Sequence, residues 1–147
     1  MCLIVCVEAP ASERDTLTAA AAAASRFGLR VEVGRPSRWP WAQHRSVRAG
    51  ISEDGGCGCS LLSDGASWDA KTWEMRHDVV EPLARTLETL LKDGPPRLSV
   101  EALWAGDRPD LEVVVTPGEL AAIVRGEGLG TKTRYVTGRA GMTARYR

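Results

Sequence analysis

Cys2-Leu3-Ile4-Val5-Cys6-Val7 is a continuous apolar run containing β-branched residues, and its reading decides the fold. A run this short with no polar alternation fits a strand buried on both faces, at the centre of a sheet. Cys2 and Cys6 are therefore expected in the core. The next stretch, residues 13–27, reads as a helix. Its alanine-rich segment has the highest intrinsic helix propensity, Ser12 with Asp15 resembles a capping box, and Gly28 stands where a C-cap is needed. The apolar stripe is thin (Leu17, Ala20, Ala21, Ala24 and Phe27), which predicts a helix backbone lying close to a sheet. Residues 29–33 alternate with Leu29, Val31 and Val33 inward, so the chain begins β-α-β.

Further out, Pro36 and Pro40 break the pattern over residues 34–46, and a loop carrying Trp39 and Trp41 results. Residues 47–52 read as a strand. The turn Glu53-Asp54-Gly55-Gly56 is expected to fold it back on residues 57–62 as a hairpin. Apolar residues at Trp73, Val80, Leu83, Leu87, Leu90 and Leu91 predict an amphipathic helix, kinked by Pro82 or split near Asp78. Residues 98–104 alternate as a strand, and residues 111–115 are expected to form its partner across the turn at residues 106–110. Thr116, Pro117 and Glu119 form a capping signature for a helix ending at Arg125, and residues 132–137 make a last strand. The tail from Gly138 is expected to fray. The order fits a single α+β domain over residues 1–147. It is read as a ferredoxin-like β-α-β-β-α-β core with a C-terminal β-α-β extension.

The 147 residues suffice for one core, and a 44% hydrophobic, 26% charged composition is that of a soluble globular protein. Formal net charge is zero, which gives no global field to recruit nucleic acid or membrane. The charge is uneven along the chain. Residues 1–48 hold 7 basic and 4 acidic groups, 49–127 hold 7 and 15, and 128–147 hold 5 and none. The basic segments make weak nucleic-acid binding conceivable, although charge runs are ordinarily solvated faces. No basic n-region precedes the first apolar run, and no stretch is long enough to span a bilayer, so a cytoplasmic location is expected.

Two places carry candidate chemistry. The loop holding Arg38, Trp39, Trp41, His44 and Arg45 offers stacking surface on a proline-stiffened backbone, with arginines able to meet phosphates or carboxylates. The first expectation is a non-enzymatic domain that binds a protein or small-molecule partner through this loop. The same tryptophans would serve equally as a lid on an open end of the core. The second place is Cys57-Gly58-Cys59, where an extended chain points both thiols to one side. Together with His44 and His77 the pair could complete a zinc set, but the spacing matches no finger pattern. As a redox pair it meets a geometric obstacle. Fully extended Cys-Gly-Cys holds its Cα atoms roughly 6.5–7 Å apart, at or past the limit for a disulfide. Gly126, Gly128 and Gly130 leave a helix rather than enter one, so they do not make a phosphate cradle.

Overall fold

Strand β1, Leu3–Pro10, is paired on both edges, by Ser46–Ser52 (β3) and by Ser99–Trp104 (β4). The structure, a computed structural model, describes residues 2–34, 46–55, 57–67, 69–137 and 145–146. With Arg30–Gly34 (β2), Leu111–Val115 (β5), Thr133–Thr137 (β6) and Arg145–Tyr146 (β7), the sheet runs β2-β3-β1-β4-β6-β5-β7. The pairs β2·β3, β3·β1, β1·β4 and β4·β6 are antiparallel, β6·β5 is parallel, and β7 adds antiparallel to β5. Among the described residues three α-helices, Arg14–Ala24 (α1), His77–Asp93 (α2) and Pro117–Arg125 (α3), complete a small α+β fold with a mixed sheet.

Alternation along the strands separates two faces. Leu3, Val5, Val7 and Ala9 share one apolar cluster with Val47, Ala49 and Ile51 of β3, Val100 and Ala102 of β4, and residues of all three helices. In α1 the buried residues are Leu17, Ala20, Ala21 and Ala24, small enough to let the helix lie close to the strands. Helix α2 contributes Val79, Leu83, Leu87, Leu90 and Leu91. Each such buried side chain is worth roughly 1.5–3 kcal/mol of transfer free energy. The opposite face is different in kind. There Cys6 is buried among charges: Arg48 pairs with Glu8 at 2.7 Å, and Arg134 is hydrogen-bonded to Glu101. Among the described residues, no helix is long and apolar enough to cross a membrane.

Several expectations from sequence are corrected. Residues 57–62 do not form a hairpin strand, because β3 already has β1 on one edge and β2 on the other and offers no free edge. Gly58–Leu61 winds into a 3-10 turn instead, and Leu62 forms an isolated bridge to Met75. β5 does not pair with β4. The β5-α3-β6 crossover returns parallel, and β6 inserts between them. Trp73 is not on a helix; it lies fully buried before α2, its indole N–H donating to the Ala102 carbonyl at 2.6 Å. Helix α2 is continuous through Pro82, which lies early enough to remove only the bond to the Asp78 carbonyl. No Ser12 side-chain cap forms, since a 3-10 turn at Ala11–Glu13 leads into α1. Cys2 is exposed, one residue outside β1. Within the tail, Arg145 and Tyr146 pair with β5 rather than fray.

Other expectations hold. Gly28 closes the first helical stretch in a left-handed conformation at φ 98°. Thr116 and Glu119 cap α3 reciprocally at 3.1 and 3.2 Å.

Candidate thiol site

The site is built by a short segment pressed against the start of β1. After β3 the chain turns at residues 53–55, where the Gly55 amide donates to the Ser52 hydroxyl at 2.8 Å. Cys57 is extended (φ −74°, ψ 146°), and the 3-10 turn Gly58–Leu61 follows at once. Because a 3-10 turn rises only about 2 Å per residue, the span across Cys57-Gly58-Cys59 shortens and the obstacle of the extended form disappears. Gly58 permits the approach to β1. A Cβ built there would lie 3.1 Å from the Leu3 carbonyl oxygen and 3.2 Å from a Val5 methyl. Leu61, fully buried, anchors the far end of the turn.

Two thiols meet as a result. The Cys57 and Cys59 sulfurs are 2.8 Å apart, and both are half-buried. The Cys59 amide donates to Cys57 Sγ at 3.3 Å and the Leu3 amide donates to Cys59 Sγ at 3.1 Å, while neutral Cys57 can donate to the Leu3 carbonyl at 3.5 Å. Cys2, immediately before Leu3, adds a third thiol hydrogen-bonded to Cys57.

The acid–base properties of the pair diverge. Burial opposes ionisation of Cys57, but hydrogen bonds from the Cys59 thiol, the Cys59 amide, the Cys2 thiol and the backbone at Leu3 outweigh it and hold its pKa below the ordinary thiol value. Cys59 is raised, first by burial and then by its hydrogen bond to Cys57 and by the charges Cys57 and Cys2 would carry. One sulfur is thus the preferred thiolate and its neighbour keeps the proton.

Arg76 fixes the turn to the start of α2. Its guanidinium donates to the Ser60 carbonyl at 2.9 Å, to both Glu53 carboxylate oxygens at 2.9 Å, and to Asp78 at 2.8 and 3.0 Å. Its backbone amide donates to the Leu61 carbonyl at 2.8 Å.

The sulfur pair stands between two clefts. A groove of about 570 Å³ opens beside Cys57 and Cys2, lined also by Ile4, Gly50, Gly55 and Gly106. A smaller one of about 300 Å³ lies against Cys59, with Leu62, Ser63 and Trp104.

Of the residues singled out in the sequence, Cys57 and Cys59 are brought together. Arg38, Trp39, Trp41, His44 and Arg45 lie outside the described residues. His77 is exposed at the start of α2, next to Asp78, which is itself paired with Arg76. Among the described residues, no group of three or more His, Cys, Asp and Glu is arranged to hold a metal ion. Cys2 is the contributor that sequence reasoning misplaced, since it is expected in the core and is exposed. Its signal was its place at the very end of the apolar run, where a strand gives way and a side chain leaves the core.

Compared with family models, curated proteins and solved structures, the chain matches none.

Proposed function

We propose that Cys57 and Cys59 form a thiol–disulfide exchange couple on a domain whose β2-β3-β1-β4 half is a ferredoxin-like core. The observation that carries this reading is the 2.8 Å approach of the two sulfurs beside an open groove. In the forward step the Cys57 thiolate attacks one sulfur of a disulfide substrate. The substrate S–S bond breaks, one half leaves as a thiolate, and a mixed disulfide remains on Cys57. Cys59 then gives its proton to water and attacks the Cys57 sulfur, releasing the other half as a second thiolate, and both released thiolates take up protons from solvent. The substrate gains two electrons and becomes two thiols, while Cys57 and Cys59 lose two and become a disulfide. Cys2, by donating to Cys57, helps hold it as the attacking thiolate.

Exposure of the reduced protein to hydroxyethyl disulfide, followed by peptide mapping, tests the scheme. A Cys57–Cys59 linkage is expected in the wild type, and Cys59→Ala should trap the mixed disulfide on Cys57. Absence of the linkage, or first attachment at Cys59, would overturn the proposal.

A further inference from the structure

The groove beside Cys57 has a composition that selects what it takes. Among the described residues its lining carries no charged side chain: besides the sulfurs it consists of Ile4 and strand residues, and of Gly50, Gly55, Ala105 and Gly106. At the rim, beside Gly55, Arg30 and Glu32 pair with each other at 3.5 Å, and Arg30 also donates to the Asp54 carbonyl at 2.8 Å. Gly50 lies in the middle of β3, opposite Cys6 on one side and Glu32 on the other. A Cβ at Gly50 would meet nothing within 4 Å. A glycine inside a strand forgoes packing and chain stiffness, so its open surroundings are a gap in the sheet face rather than a steric necessity. The volume of about 570 Å³ is of the size that holds a small molecule.

We infer that this groove seats the uncharged, mainly apolar substituent of a small-molecule disulfide, and that the missing side chain at Gly50 makes the room for it. The inference rests on the exchange reading above and names its substrate class. A carboxylate drawn into such a lining would shed water and find only Arg30 at the rim, already engaged by Glu32 and the Asp54 carbonyl, whereas an alkyl chain gains by leaving water.

The test compares single-turnover oxidation of the reduced protein by dipropyl disulfide and by dithiodipropionate, which differ chiefly in charge. Wild type should consume the dipropyl compound about tenfold faster or more. Gly50→Val, whose side chain suits a strand, should keep the melting temperature and thiol count and lose most of that preference. Ala105→Arg, at an exposed position of the lining, should speed the dicarboxylate reaction severalfold. Equal rates for the two disulfides in wild type, or a preference unchanged in both variants, would overturn the groove assignment while Cys57–Cys59 disulfide still forms. If the wild type consumes neither compound and forms no linkage, the exchange reading itself falls.

Discussion

Cys6 and Cys57 both lie against β1, one as a residue of the strand and the other packed across from its first residues, yet the fold holds them in opposite acid–base states. Cys6 is buried on the sheet face between the Glu8–Arg48 and Glu101–Arg134 pairs. Burial pushes its pKa up to about 12; Arg48 pulls the other way, and Glu101 and Glu8 add to the rise. Cys57 is only half-buried and receives hydrogen bonds from two thiols and the backbone, so its pKa falls. The difference shows that a charged neighbourhood does not activate a thiol if the sulfur is sealed from water and the charges are already paired. Donors aimed at the sulfur do.

The largest expected effect breaks the comparison on the Cys6 side. A thiol raised from 9.0 to about 12 keeps its proton in the folded protein while the unfolded chain releases it. Its contribution to stability is therefore whole below pH 9 and is lost as pH climbs towards 12, by up to about 4 kcal/mol. Urea denaturation across that window should show the wild type losing this much more than Cys6→Ala. Parallel pH profiles would mean that Cys6 ionises freely inside the fold. Cys57 has the opposite sign. Its depressed pKa gives stability that is present above the unfolded value and fades as pH drops through the folded one.

A middle-sized effect is expected at Gly58. The atoms a side chain would meet there are a β1 carbonyl and a Val5 methyl, and the carbonyl is fixed by the strand. Gly58→Val should lift the turn off β1, cost about 1–3 kcal/mol in denaturant melts and slow closure of the Cys57–Cys59 disulfide. A variant that is as stable as wild type and closes as fast would show that the tight approach is not what unites the sulfurs.

The smallest effect sharpens the comparison. Cys59→Ala removes one donor to Cys57 but leaves the Cys2 thiol in place. Alkylation of Cys57 by iodoacetamide at pH 7 should then slow by about tenfold, the worth of one hydrogen bond to a charged atom, and its pH profile should move up. An unmoved profile would place the activation elsewhere.

Much of the architecture was legible in the residues. The unalternating run at residues 2–7 pointed to a central strand, and β1 has partners on both edges. The Thr116, Pro117 and Glu119 cap and the glycine at position 28 also ended up where local chemistry put them. The site was half legible. Cys57 and Cys59 stand out by their spacing, but an extended reading of that segment sets their Cα atoms at or past the disulfide limit unless the glycines tighten it, and it leaves Cys2 in the core.

Local chemistry by itself determined the three α-helices, strands β1 to β6 to within a few residues and the cap of α3, because propensity, alternation and capping act within a few residues; it misread residues 57–62, where local pattern alone does not say which strand edges are free. Only the tertiary structure decided that β3 had no free edge for residues 57–62, that β6 would come between β4 and β5, and that a glycine against β1 would bring two sulfurs together. Those outcomes depend on which strand edges are already taken and how closely two backbones approach. Both are set by partners distant in the chain.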